Sequence, residues 1–211
     1  MIIEGIDIIK LRHATFKIKY NNYVIYFDPY NVNENEEKAD LILIPHEHYD
    51  HLSIQDINNL AKESTVIVTI PESQSSISRV SAKIKKLILI NPNEKKEVDG
   101  FEISTIPSYN VNKFRTAGIV YHPKEDGRVG FILNINGKKI YHAGDTDLIP
   151  EMSSLQDQID IALLPISGKY VMTPEEAAKA ADLIKPKVAI PMHFGEIVGT
   201  IQDPIVFKSL V

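Results

Sequence analysis

Short apolar runs separated by turn-forming residues dominate this chain, and most are too brief for helices. The range 6–18 alternates imperfectly between apolar and polar positions, Asn21-Asn22 supplies a turn, and Tyr23-Val24-Ile25-Tyr26-Phe27 resumes an extended run. Asp28-Pro29 ends that run, because proline cannot donate to a ladder and biases the residue before it toward extended geometry. Residues 33–38 form a polar, acidic loop without periodicity, and 41–44 form a buried-looking strand. Ser53 is placed to cap a helix that sets Ile54, Ile57, Leu60 and Ala61 at helical spacing. The pattern then predicts strands over 66–70 and 87–90, with a helix over 72–83 between them. Asp99-Gly100 and Asn136-Gly137 are hairpin turns, the second joining strands 129–135 and 138–142. Residues 107–127 show no clear period, and aperiodic stretches of that length tend to carry function or motion. A continuous apolar strand over 159–166 follows. Thr173-Pro174-Glu175-Glu176 then combines a cap, a first-turn proline and a capping-box acid. The helix it opens runs to about Ile184, with Ala177, Ala178, Ala181 and Ile184 on one face, and a last strand covers 187–191.

Strands and helices occur in both halves, so periodicity alone gives a mixed α and β protein. A length of 211 residues suits one domain, 1–211, and no change of composition marks a linker. A formal charge of −5 leaves no basic footprint for nucleic acid. The absence of cysteine excludes a disulfide framework, a thiolate metal site and a cysteine nucleophile. Acids near the N-terminus and the lack of an apolar run of about 20 residues argue against a leader or membrane span, so a cytoplasmic location is expected.

The tract His46-Glu47-His48-Tyr49-Asp50-His51, directly after Leu41-Ile42-Leu43-Ile44, concentrates the chemistry. Alternate side chains of an extended segment point the same way, so His46 and His48 can converge on one metal ion. Asp50 and His51 diverge from that pair and suit a second ion. Imidazole and carboxylate are ligands of zinc, iron and manganese. Asp145 in His142-Ala143-Gly144-Asp145-Thr146-Asp147 and His193 in Pro191-Met192-His193 are weak candidates singly. Together with the tract, and in this order, they are specific.

That combination resembles the metallo-β-lactamase superfamily, in its small stand-alone hydrolase-like branch. The resemblance covers nearly the whole chain. It includes Leu11-Arg12-His13-Ala14-Thr15-Phe16, Phe27-Asp28-Pro29, the histidine tract, Tyr141-His142-Ala143-Gly144-Asp145-Thr146, Pro165-Ile166-Ser167-Gly168 and Pro191-Met192-His193-Phe194-Gly195. Sugar-phosphate lactonases and the phospholipase D that cleaves N-acylphosphatidylethanolamine belong to the same branch.

The resemblance implies an α/β fold, a four-layer αββα sandwich, and up to two divalent ions per chain. Zinc is the first expectation, with manganese and iron as alternatives. It implies His46 and His48 at the first ion, Asp50, His51 and His193 at the second, and Asp145 as the bridging carboxylate. A water shared by such ions has its pKa lowered toward neutrality from 15.7 in bulk, so hydrolysis of an ester, lactone or phosphodiester of a small molecule, including an anionic one, is expected. One departure stands out. The family commonly supplies a further first-site histidine where this chain reads Pro107-Ser108-Tyr109-Asn110. Water, Asn110 or His122 would have to complete that site, and His122 is expected to face the substrate as a catalytic group alongside Asp50. Asp28 is a candidate to orient a ligand histidine, and Lys124, Lys169 and Tyr170 lie in loops that can reach a substrate anion. Two rival classes remain: a metal-stabilised binding domain without turnover, and a diiron redox enzyme. The second fits poorly, because such enzymes place glutamate where this chain has His48.

Overall fold

The computed structural model describes residues 1–211, in two compact units, Met1–Ile90 and Asn91–Val211. The first unit carries a seven-stranded sheet in sequence order. Its strands are β1 (Ile2–Ile3), β2 (Ile6–Lys10), β3 (Phe16–Tyr20), β4 (Tyr23–Phe27), β5 (Leu41–Ile44), β6 (Val66–Thr69) and β7 (Lys86–Leu89). The β1–β4 pairings are antiparallel and the β4–β7 pairings parallel. Parallel neighbours need crossovers; helix α1 (Ile54–Leu60) lies between β5 and β6, and the single turn α2 (Gln74–Ile77) lies between β6 and β7. All four residues of β5 are buried, as a parallel strand covered on both faces requires. Tyr26, Ile42, Ile44, Ile57, Leu60 and Ile67 belong to one apolar cluster that seats α1 on the sheet. Ser53 caps α1 by accepting from the Asp56 N–H at 3.3 Å.

The range 6–18 holds two strands, because residues 11–15 turn back on themselves: Leu11 N–H donates to Thr15 O and Thr15 N–H to Arg12 O. The helix expected over 72–83 shrinks to a 3₁₀ turn (Pro71–Ser73) followed by α2. Serine explains the loss, since its hydroxyl competes for nearby backbone groups. Ser78 Oγ donates to Ser75 O at 2.7 Å, and Asn58 Oδ1 captures the Ser81 and Ala82 N–H groups at 2.9 Å each.

The second unit holds β8 (Lys95–Val98), β9 (Phe101–Pro107), β12 (Val129–Ile135), β13 (Lys138–His142), β14 (Ile161–Pro165) and β15 (Val188–Met192). They form a six-stranded sheet in the order β15-β14-β13-β12-β9-β8. A separate ribbon pairs β10 (Phe114–Thr116) with β11 (Ile119–Val120). The hairpin turns are as the sequence suggests: Asp99 and Gly100, and likewise Asn136 and Gly137, all have positive φ, which a two-residue turn matching strand twist demands. Gly130 is required for a different reason. A Cβ there would stand 2.8 Å from the Tyr141 ring and 3.0 Å from Ala143 O, so a side chain would push β12 off β13. Helix α3 (Pro174–Ile184) has the full capping box between Thr173 and Glu176 and buries Ala177, Ala178, Ala180, Ala181 and Ile184. Helix α4 (Asp203–Leu210), the ribbon and β1 went unanticipated; each is short or weakly patterned. No helix is long and apolar enough to cross a membrane.

Candidate metal centre

The histidine tract leaves the buried end of β5 and turns at once. His51 N–H donates to His48 O at 3.0 Å and Leu52 N–H to the same oxygen at 2.8 Å. Convergence of the imidazoles therefore comes from a turn rather than from the alternation of an extended strand. The His46 and His48 rings stand 4.8 Å apart, and those of His46 and His51 4.0 Å. His46 and His51 are buried, and His48 is half exposed. Asp50 Oδ2 lies 3.5 Å from His51 Nε2 and 3.6 Å from His13 Nε2. His13 comes from the tight turn between β2 and β3, so the first unit gathers four imidazoles and a carboxylate.

His51 is held from behind. Its Nδ1 pairs with Asp28 Oδ2 at 2.6 Å, both side chains fully buried. A carboxylate oxygen accepts, so Nδ1 carries the proton and Nε2 presents its lone pair toward Asp50. Asp28 sits just after β4 with φ of 48°, a conformation aspartate adopts more readily than most residues. Its backbone is pinned by Leu43 O, which accepts its N–H at 3.1 Å, and by the Thr15 hydroxyl, which donates to its carbonyl at 2.5 Å.

The second unit supplies its own donors at the carboxyl ends of neighbouring strands. Asp145 follows β13 and His193 follows β15; β13 and β15 both run parallel to β14, which lies between them. His193 Nε2 stands 3.2 Å from Asp145 Oδ2, and His122 Nε2 3.6 Å from the same oxygen. All three are buried. His193 has φ of 59°, strained backbone of the kind that clusters at functional positions. Its Nδ1 meets Ser167 Oγ at 3.1 Å, which again turns Nε2 toward a carboxylate. The Ser108 hydroxyl donates to Asp145 O at 2.9 Å and fixes that backbone.

These separations fit metal ligands. Two donor atoms bound to one zinc at about 2.1 Å and in tetrahedral arrangement stand about 3.4 Å from each other. The imidazole–carboxylate separations within each unit run from 3.2 to 3.6 Å. The donors are imidazole and carboxylate throughout, suited to zinc, iron or manganese.

Asn110 has a different task from the one sequence reading offered it. Its Oδ1 accepts the His122 N–H at 2.9 Å, and its Nδ2 donates to Asp147 Oδ1 and Tyr170 O at 3.1 and 2.9 Å. Asn110 N–H also donates to His122 O at 2.8 Å. The amide thus holds the backbone of His122, while the His122 ring approaches Asp145. Lys124 pairs with Glu151 at 2.6 Å, and Glu151 also accepts from the Tyr109 hydroxyl at 3.0 Å. Burial and that Glu151 bond push the Tyr109 phenol above its ordinary pKa. Lys169 stands 4.9 Å over the Tyr170 ring. His142 is fully buried and accepts the Gly144 N–H at 3.3 Å, a structural role. Sequence reading gave no role to Ser167, Ser108 or Asp147. Only the proximity of Asp147 to Asp145 hinted at it.

The profile of the beta-lactamase superfamily domain matches residues 7–193. A metal-dependent hydrolase of the UPF0173 group from Pyrococcus abyssi is 34% identical over 219 residues, covering 95% of this chain and 90% of its own. Among solved structures, one named for a metal-dependent hydrolase of Parabacteroides distasonis superposes with a TM-score of 0.83 at 33% identity, covering 97% of this chain and 87% of that one. A metallo hydrolase of Ignicoccus hospitalis gives 0.76 at 25% identity, covering 97% and 89%. The chain belongs to the beta-lactamase superfamily, among its metal-dependent hydrolases, and its α/β fold is the metallo-β-lactamase fold.

Proposed function

We propose that this protein is a metal-dependent hydrolase that cleaves an ester, lactone or phosphodiester bond of a small molecule, within a single functional domain spanning 1–211. The observation that carries the reading is the matched treatment of two imidazoles. His51 and His193 each have Nδ1 engaged from behind, by Asp28 and Ser167, and each turns Nε2 toward a carboxylate oxygen 3.5 and 3.2 Å away. That is how proteins prepare histidine to bind metal.

The family resemblance assigns His46 and His48 to one divalent ion, Asp50, His51 and His193 to a second, and Asp145 to both; zinc is preferred, with manganese and iron as alternatives. His122 joins the ligands in this reading, because its Nε2 approaches Asp145 and its backbone is fixed by Asn110. When bound, such ions supply Lewis acidity and a water acidic enough to ionise near neutral pH. The chain's own part is to place and move the proton. Asp50 Oδ2, within 3.6 Å of both His13 and His51 Nε2, is the general base. His13 steadies its carboxylate. Lys124 and Lys169, both at the surface of the second unit, suit the recognition of an anionic substrate.

The test is elemental analysis of protein purified without chelator, followed by turnover on a panel of esters, lactones and phosphodiesters. Hydrolysis lost with chelator and restored by Zn²⁺ or Mn²⁺ is expected. Bound metal with no chelator-sensitive turnover on any substrate would sink the enzyme reading in favour of a metal-stabilised binding domain.

A further inference from the structure

The carboxylate of Asp147 is 1% exposed, and the loop that follows β9 supplies its partners. Its Oδ2 accepts the Val111 N–H at 2.7 Å and the Asn112 N–H at 2.9 Å. Its Oδ1 accepts from Asn110 Nδ2 at 3.1 Å and lies 3.5 Å from Lys113 Nζ. Four consecutive residues, 110–113, therefore converge on one side chain. The Asp147 backbone closes the same ring, with its N–H donating to Tyr109 O at 2.9 Å. Burying an ionised carboxylate is costly unless it is paired and hydrogen-bonded. Here the ammonium of Lys113 and three N–H donors satisfy it. Lys113 reaches further, pairing with Glu176 Oε2 at 2.6 Å, while Glu176 Oε2 accepts the Thr173 N–H that caps α3. The loop is thereby moored to a helix end as well.

We propose that Asp147 is a positioning residue, which sets His122 at Asp145 through the relay Asp147–Asn110–His122. Two features make the relay directional. Asn110 has little freedom to rotate, because both N–H donors and the oxygen of its amide are committed: to Asp147, to Tyr170 O and to the His122 N–H. The His122 backbone is then gripped on both sides, since Asn110 N–H also donates to His122 O. A ribbon intervenes in sequence between these partners, and an aperiodic stretch of this length would otherwise leave His122 loosely placed. Asp147 lies two residues beyond Asp145, so the carboxylate approached by the His122 ring and the carboxylate that anchors its loop share one rigid turn. The inference rests on the reading of His122 as a metal ligand.

The experiment compares wild type, Asp147→Asn, Asn110→Ala and His122→Ala. Asp147→Asn replaces an acceptor by an NH₂ group that faces other donors. Asn110→Ala leaves Asp147 and its bonds to Val111 and Asn112 intact, so it tests the relay even if the first variant folds poorly. Zn²⁺ titration of each apoprotein is read by calorimetry, and amide hydrogen exchange at Val111, Asn112 and His122 is read without metal. Outer partners of ligand imidazoles are worth about 10- to 100-fold in metal affinity. Both relay variants are therefore expected to weaken one binding event by about that factor, spare the other, and speed exchange at His122. A lowered apoprotein melting temperature with an unchanged isotherm and unchanged His122 exchange would overturn the proposal. If His122→Ala itself leaves the isotherm unchanged, the ligand reading fails, and exchange at His122 in the relay variants still decides whether Asp147 positions it.

Discussion

Replacing Asp28 by asparagine isolates the charge behind His51. The backbone at this position should accept the change. Asp28 has φ of 48°, and asparagine shares aspartate's ease in that region, whereas alanine there would add strain of about 1–2 kcal/mol. The amide oxygen of asparagine can still accept from His51 Nδ1, so the bond survives without its charge. Hydrogen bonds to charged groups contribute about 1.5–3 kcal/mol, roughly twice a neutral one. The variant should then lose about 0.8–1.5 kcal/mol of whatever depends on a proton-bearing Nδ1 and an electron-rich Nε2. At about 1.4 kcal/mol per factor of ten, metal affinity should fall about four- to twelvefold. The bond is 2.6 Å long between two fully buried side chains, so solvent screening does not reduce that figure. Competition against a chromophoric chelator measures it directly, with the apoprotein's urea midpoint as a control for folding. A variant that binds metal within twofold of wild type, at unchanged stability, would refute the claim that Asp28 prepares His51 as a ligand.

If two ions bind as proposed, Asp145→Asn should lower occupancy of both, since Asp145 Oδ2 stands near both His122 and His193; elemental analysis showing one ion lost and the other fully retained would argue against bridging. Glu176→Gln should flatten the acid limb of the stability curve. Burial opposes ionisation of Glu176, but the Lys113 ammonium, the Thr173 N–H and Asn112 outweigh it and hold its folded pKa low. A depressed folded pKa adds stability above the ordinary glutamate value of about 4.3 and loses it as pH falls through the folded value. Urea unfolding at neutral pH and below pH 4 should therefore diverge less in the variant than in wild type. Ile42→Ala, at a fully buried position of the first unit's cluster, should cost about 2–5 kcal/mol by the denaturation midpoint; a loss below 1 kcal/mol would mean that β5 does not hold that core together.

What the sequence disclosed follows the range of the forces involved. Hairpins at Asp99-Gly100 and Asn136-Gly137, the Ser53 cap and the Thr173–Glu176 box are decided by neighbours, and all were legible. The proposed ligands His46, His48, Asp50 and His51 stand together in the chain and announce themselves. The partners that prepare them do not. Asp28 meets His51 across 23 positions and Ser167 meets His193 across 26, so Asp28 could be named as a candidate but not matched to His51, and nothing local marked Ser167 at all. Asn110 looked like a spare ligand, because its side chain can serve metal or backbone equally well, and only tertiary structure shows it bound to His122. The failed helix over 72–83 is a reverse case. Apolar spacing was present, but serine hydroxyls and Asn58 satisfied the backbone better than a helix could.

The order of strands in the second sheet also bears on how the donors assemble in time. β12 and β13 are joined by a two-residue turn, and such hairpins close in about 1–10 μs. Asp145 leaves β13 directly, so its turn can form with the earliest structure. β15 can pair with β14 only after the crossover through α3 is in place, and longer closures are slower. His193 should therefore reach Asp145 late, after the carboxylate is already fixed. A chain emerging into a metal-rich solution would then offer an incomplete site for most of its folding, and commitment to the ion would come with the last strand. Pulse-labelled hydrogen exchange during refolding should protect β12 and β13 amides ahead of those of β15; simultaneous protection of all three strands would exclude that sequence of events.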